Sequence, residues 1–429
     1  MTIIAVLGGG GRMPPARAHG SAPWVQLLRR RLPRIRVPVL FAAVAAWATF
    51  SAVSLVFGRG RLPGPTDGPG AAADPGPRDT PSRLVPIEEL DLLRGIQPEV
   101  PDVLMSGDEF GTITVFVDTE HQGFFGNNWP YFHDACPWRL GDQIDCEFTD
   151  DPSRRSSAHT LFVHAPHRKP RHDRAFPEQK KLVVCMESPD HYNGKLLADE
   201  DFMKDFDYEM SYRARAHVPW LYSEPYLNGV FNTPHRLWDP PVPFSEKLNA
   251  VAYLNSNCHT PSGRAEAMEA LIQMNVYPVH AFGRCSHNKD LSPDFKSKVE
   301  LFSKYKFCIA IENSNVDDYI TEKVYQALSA GCIPIYGGAS NIGWHMPVPV
   351  DQMMIIFEPK RDSVGDLAAR LAQLSNDQAA YEGMLAWKTM PVKDMSPGFR
   401  FHVKNAESSV QCKMCQIQAL DVERRRASS

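Results

Sequence analysis

The sequence has 429 residues, 43% apolar and 22% charged, which suits a globular protein too long for one simple core and suggests two lobes with appendages. The formal net charge of −4 offers no basic field for gripping nucleic-acid phosphates, so that class is set aside. In chain order, residues 1–36 are an arginine-bearing tail, with Arg29, Arg30, Arg31, Arg34 and Arg36 crowded at its end. Residues 37–57 (VPVLFAAVAAWATFSAVSLVF) contain no charge and are long enough as a helix to cross a hydrocarbon core of roughly 30 Å. Only Arg59 and Arg61 follow closely, so the positive-inside rule keeps the tail cytosolic. A cleaved signal peptide fits less well, because the run is long, begins late and lacks an A-x-A site; a buried core helix is the other alternative. Residues 58–105 open with a Pro/Gly-rich stretch to about Arg83 that blocks regular elements and reads as a flexible, disordered stem. Tail, span, stem and a large lumenal part form the layout of a type II Golgi enzyme, and equally of a type II receptor or lectin. No N-x-S/T sequon is present; Asn232-Thr233-Pro234 is the nearest miss.

Beyond the stem, short apolar runs alternate with helical patterns. Strands are expected at 113–117, 160–163 and 182–186, then at 250–254, 277–281, 307–311 and 332–336. Helices are expected at Arg264–Met274, 318–330 and Val364–Ser375. Such alternation predicts an α/β protein with parallel sheets, and the DPPVP stretch at 239–243 divides two sets. The reading is two Rossmann-like lobes facing a cleft: an acceptor-side lobe at 106–243, a second lobe at 244–405 and a C-terminal segment at 406–429. Neither G-x-G-x-x-G nor G-x-x-x-x-G-K-S/T occurs, which disfavours a nicotinamide or flavin dehydrogenase and a P-loop kinase. Of the nine cysteines, Cys185, Cys308 and Cys332 lie in apolar runs and read as small core residues. The other six suit three disulfides in a lumenal domain. Half of a zinc site at Cys412-x-x-Cys415 is the weaker alternative, because no second half exists.

The most informative stretch is residues 306–338, KFCIAIENSNVDDYITEKVYQALSAGCIPIYGG. A buried strand ends at Glu312-Asn313. Ser314 to Asp317 fits a capping box, so a helix is expected to begin close by, with Glu322 and Lys323 in its first turns and Gly331 as its C-cap. Polar groups at the carboxyl end of a strand, beside a helix N-terminus, are where open α/β sheets take anionic ligands. The bland alternative is a solvated cap with a surface ion pair. Asp317-Asp318 is no D-x-D metal clamp, since adjacent side chains at a helix start diverge.

The run E-N-x-x-x-x-D-Y-I-T-E-K, followed by a small-residue helix and G-C-I-P-I-Y, resembles the donor signature of the alpha-1,3/4-fucosyltransferase family. The resemblance continues in MESP (186–189), FDYEMSYR (206–213), NCHTPSGRAEAMEAL (257–271) and FGRCSHNKD (282–290), and covers roughly 107–415. It implies a GT-B fold and inverting transfer from GDP-fucose. Glu187 is then the general base, which takes the acceptor hydroxyl's proton as that oxygen attacks the sugar. Arg264 and Lys323 resemble the diphosphate ligands, and Asn313, Tyr319 and Glu322 the other donor contacts; Arg213 and Glu312 are second-tier candidates. Glu322 either hydrogen-bonds donor hydroxyls or offsets the charge of an oxocarbenium-like sugar. No obligatory metal or cofactor is expected, basic residues taking its place. The resemblance further implies Cys136 and Cys146 tied to Cys412 and Cys415, partner choice open, and Cys258 tied to Cys285. The expected function is alpha-1,3 transfer of L-fucose to N-acetylglucosamine of glycoprotein N-glycans in the Golgi membrane. The chain mixes plant-type core and animal Lewis-type features, which leaves core or antennal acceptors open. A GT-B transferase with another nucleotide sugar, or a non-catalytic glycan-binding type II membrane protein, are the alternatives; the latter is expected to lack Glu187 or Lys323.

Overall fold

The computed structural model describes residues 105–118, 132–138, 141–165, 173–190, 194–228 and 235–427. The expected tail, span and nearly all of the stem lie outside them. Among the described residues no helix is long and apolar enough to cross a membrane.

The first lobe is a seven-stranded sheet. Its strands are β1 (Thr112–Val117), β2 (His133–Pro137), β3 (Gln143–Thr149), β4 (Thr160–His164), β5 (Lys180–Cys185), β6 (Tyr208–Ser211) and β7 (Val218–Pro219), in the order β2-β3-β1-β4-β5-β6-β7. All neighbours are parallel except β2, which pairs antiparallel with β3. β4 and β5 are continuously apolar or buried because both faces of the sheet are covered. The second lobe is a five-stranded parallel sheet of β8 (Leu248–Tyr253), β9 (Val279–Ala281), β10 (Tyr305–Ile311), β11 (Ile333–Gly337) and β12 (Ile355–Ile356), ordered β12-β11-β10-β8-β9. Two apolar clusters cover its two faces, one built on Phe302, Val324 and Leu328, the other on Met268, Leu271 and Leu371. The strand order reverses between β8 and β10, which makes their carboxyl ends a topological switch point.

Helix α1 (Arg264–Met274) follows β8, α2 (Glu322–Ala330) joins β10 to β11, and α3 (Val364–Ser375) covers one face. Gly331 ends α2 at φ +64°, a backbone that a β-carbon would strain, so the helix stops where the glycine predicts. The start of α2 differs from expectation. Ser314 to Asp317 caps nothing; the chain stays in a loop through Asp318, at φ +64°, and the helix begins at Glu322 with Thr321 as N-cap. The loop persists because Asp318 is held by tertiary partners that a local pattern cannot report.

Two further helices close the molecule. α4 (Pro397–Asn405) packs near the second lobe's Trp344, and α5 (Val410–Ala427) returns to the first lobe, where Cys412, Met414, Cys415 and Ile417 join the core of β1, β3 and β5. Disulfides Cys136–Cys412 and Cys146–Cys415 fasten α5 to β2 and β3, and Cys258–Cys285 ties the loops after β8 and β9. Cys308 and Cys332 were expected as separate core residues. They are buried, but joined to each other, because β10 and β11 lie side by side. Cys185 alone is a free buried thiol, and burial pushes it up to about 12.

Candidate active site

The carboxyl ends of β5 and β10 meet. Glu187 stands two residues beyond β5, and Tyr319 on the loop after β10 donates its hydroxyl to Glu187 Oε2 at 3.2 Å. The backbone around Glu187 is fixed by Tyr222, whose hydroxyl donates to Met186 O at 2.8 Å. Burial raises the Glu187 carboxyl to about 7; Tyr319 and Lys323 pull it down and Glu322 pushes it up. A carboxylate poised near neutrality suits a base that must be free to accept a proton.

Glu312, fully buried at the end of β10, organises the start of α2. It accepts from the Thr321 backbone N–H at 2.7 Å and from the Thr321 hydroxyl at 2.7 Å, and its Oε2 pairs with Lys323 Nζ at 3.1 Å. Thr321's hydroxyl is thereby drawn away from capping its own helix. Gly338 leaves the space: a β-carbon there would meet Glu312 Cγ at 2.9 Å. Lys323 also donates to Thr321 Oγ1 at 2.8 Å and lies 3.4 Å from Glu322 Oε1. Burial works against its charge, but Glu312 and Glu322 more than offset that and hold the ammonium above its ordinary value. The Glu322 carboxyl, against burial, is held low by Lys323 and Lys298.

Arg264, at the first turn of α1, is 1% exposed. Its Nη1 donates to Ile311 O at 2.6 Å, and its Nη2 to Asn257 O and Asn313 Oδ1, each at 3.1 Å. Nε is buried without a hydrogen-bond partner. Arg264 therefore bridges the carboxyl ends of β8 and β10 at the switch point and orients Asn313. Arg213 turns toward its own lobe, 3.7 Å from buried Glu209.

Asp318 locks the loop that carries Tyr319. Its N–H donates to Asn341 Oδ1 at 2.9 Å, its Oδ1 accepts from Asn341 Nδ2 at 2.6 Å and contacts His345 Nε2 at 2.8 Å, and its Oδ2 accepts from Ala214 N at 3.2 Å on the first lobe. Burial opposes its charge, yet these partners hold its carboxyl low. The chain continues through His345 Nδ1 to His402 Nε2 at 2.9 Å and from His402 Nδ1 to Ser223 Oγ at 2.7 Å. Four contacts from three residues thus hold the positive φ of Asp318 in place.

The structure thus brings Glu187, Arg264, Glu312, Asn313, Tyr319, Glu322 and Lys323 to one place, and sets Arg213 beside it. Sequence reading weighed Asp318 only as a metal clamp and as a letter of the motif, giving it no place in the site, and passed over His345 and Lys298. The histidines carried no local signal; Lys298 sits in a helix whose cation looks like an ordinary surface charge. Among the described residues, no group of three His, Cys, Asp or Glu is placed to hold a metal ion.

Two α/β lobes with parallel sheets, meeting at their carboxyl ends around a carboxylate and a cluster of cations, define an α/β protein of the GT-B class. Residues 244–428 match the sequence model of glycosyltransferase family 10 (fucosyltransferase), C-terminal part. This segment of the chain is therefore similar to the C-terminal part of fucosyltransferases. Among similar proteins, a putative fucosyltransferase-like protein of Arabidopsis thaliana is 30% identical over 254 residues, 59% of this chain and 46% of that one. GDP-fucose protein O-fucosyltransferase 3 of Danio rerio is 36% identical over 151 residues, 33% of this chain and 32% of that one. The chain thus spans less than half the length of these relatives. A solved alpha1,3-fucosyltransferase with GDP-fucose aligns with 74% of this chain and 97% of its own, at 16% identity and a TM-score of 0.43.

Proposed function

We propose that this protein transfers L-fucose from GDP-fucose to an acceptor hydroxyl with inversion, and that Glu187 is the base. The observation that carries the reading is the hydrogen bond from Tyr319 to Glu187, which sets a near-neutral carboxylate against the loop that leads into Glu322 and Lys323. In the reaction the acceptor oxygen forms a bond to the sugar's C1 while the bond from C1 to the diphosphate breaks. The hydroxyl proton passes to Glu187, and GDP departs with the bonding electrons. Cations near the diphosphate stabilise the charge that develops on it. Lys323 is such a group; Arg264 acts through Asn313 and its Nε. Glu312 positions Lys323 and Thr321.

For the acceptor, the sequence resemblance favours the 3-hydroxyl of N-acetylglucosamine on a glycoprotein N-glycan, in alpha-1,3 linkage. Relatives named GDP-fucose protein O-fucosyltransferase 3 favour a second reading, a hydroxyl of the polypeptide itself. The disulfides that tie α5 to the first lobe support an oxidising compartment, in keeping with a single-pass Golgi membrane protein whose catalytic part is lumenal. The test uses the full chain in detergent with GDP-fucose, an N-glycan panel and a folded acceptor protein lacking N-glycans, beside Glu187→Gln. Transfer by the wild type alone supports the reading, and the acceptor that gains fucose decides between the two. No GDP release with any acceptor from a folded protein that fails to bind GDP-fucose overturns it.

A further inference from the structure

Three cations converge on the carboxyl end of β10, and two of them are already engaged. Arg264 spends its terminal nitrogens on Ile311 O, Asn257 O and Asn313 Oδ1. Lys323 is held by Glu312 and Thr321, with Glu322 at 3.4 Å. Lys298 is the third. It opens the short helix Lys298–Ser303, whose Val299 and Phe302 pack into the same core as Val324, Ala327 and Leu328 of α2. That packing sets Lys298 beside the first turn of α2. Its stem folds back over its own helix, with Nζ 5.1 Å from the Phe302 ring centre. Among the described residues no carboxylate oxygen lies within 4 Å of its ammonium, whereas Lys323 and Glu312 lie 3.1 Å apart. The charges that act on Lys298 are those of Glu322, Lys323, Arg264 and Glu312, the same groups that build the donor site. Burial there holds it down to about 8, and an anion beside it would raise it again.

We propose that Lys298 is a donor-binding residue whose open ammonium contacts the diphosphate of the nucleotide sugar. The assignment rests on the GDP-fucose reading above. The terminal nitrogens of Arg264 and the ammonium of Lys323 would first have to give up protein partners, whereas Lys298 has only the Phe302 ring to leave. Arg264 and Lys323 then supply fixed positive potential, and Lys298 supplies the contact that forms with the ligand and strengthens as charge builds on the leaving group.

The test measures binding of GDP and of guanosine to the full chain by calorimetry, with kcat/KM for GDP-fucose, in the wild type, Lys298→Gln, Lys298→Met and Lys298→Arg. Lys298→Gln is expected to weaken GDP binding about tenfold or more, as loss of a charge-assisted hydrogen bond does, with guanosine unchanged. Lys298→Arg is expected to restore most of the affinity. Lys298→Met keeps the apolar stem over Phe302 and carries the same test if the glutamine variant melts early. Unchanged GDP affinity in the glutamine and methionine variants overturns the assignment, as does equal weakening of GDP and guanosine. A wild type that binds neither overturns the donor reading itself, and this assignment with it.

Discussion

Tyr319 and Glu187 sit on different lobes, and the tyrosine hydroxyl reaches the glutamate's Oε2 at 3.2 Å. The loop that leads into α2 therefore tempers the proton affinity that burial gives the carboxylate opposite. Burial raises Glu187 to about 7, while Tyr319 and Lys323 pull it down. The pH profile of kcat/KM is expected to rise through an inflection near pH 7, where the base becomes ionised. Tyr319→Phe removes a lowering influence, so the inflection moves to higher pH. A profile that stays put in the variant would separate the tyrosine from the base.

Glu187→Gln is expected to reduce transfer by about a thousandfold while GDP still binds, in line with loss of a general base. Its stability effect depends on pH. The folded carboxyl is raised above its ordinary 4.5, so its contribution to stability is full below that value and is lost as pH rises through about 7. The glutamine side chain does not titrate. The variant's melting temperature, measured against the wild type, is therefore expected to be more favourable at pH 8 than at pH 5. The reverse order would show that the ionised carboxylate is the stabilised form.

Removing Glu312 leaves the Thr321 backbone N–H and hydroxyl without their acceptor and takes from Lys323 Nζ its buried carboxylate. Glu312→Ala is expected to cost about 3–5 kcal/mol in urea unfolding, the range for breaking a buried ion pair. Glu312→Gln keeps an acceptor for Thr321 and is expected to lose less stability than the alanine variant. A loss below 1 kcal/mol for alanine would show that the start of α2 does not depend on this carboxylate.

The disulfides Cys136–Cys412 and Cys146–Cys415 close loops of 276 and 269 residues between nearly the same points. Either one alone therefore does most of the closing. In the chain-entropy model, losing one opens only a short ring, about 3 kcal/mol, whereas losing both opens the long loop too, about 8 kcal/mol in total. The double serine variant at Cys412 and Cys415 is expected to be destabilised by more than the sum of the two singles. Additive singles would rule out this shared closure.

The second lobe was the more legible in sequence. Helices α1 and α3 run over the residues their apolar spacing predicts, and Gly331 ends α2 as its glycine requires. These are local signals, fixed within a few turns. The antiparallel pairing of β2 with β3 had no alternating apolar pattern to reveal it, because three of the five residues of β2 are exposed polar or small side chains. The late start of α2 was hidden for a different reason. Asp318 is kept in the left-handed region by Asn341, His345 and a backbone N–H more than a hundred residues away. A capping pattern loses to such partners. The pairing of Cys308 with Cys332 likewise needs the knowledge that β10 and β11 are neighbours. Resemblance brought Glu187, Arg264 and Lys323 together, but it gave no warning that Arg264 and Lys323 would be so fully occupied.

Helix α5 carries the buried ammonium of Lys413, which donates to Glu224 Oε1 at 2.8 Å and to Pro219 O at 3.2 Å. During synthesis, β1 to β7 leave the ribosome some two hundred residues before that partner does. Until then Glu224 has lost its cation, Cys136 and Cys146 have no mates, and one face of the sheet is bare. The lobe made first is thus completed by a helix made some two hundred residues later.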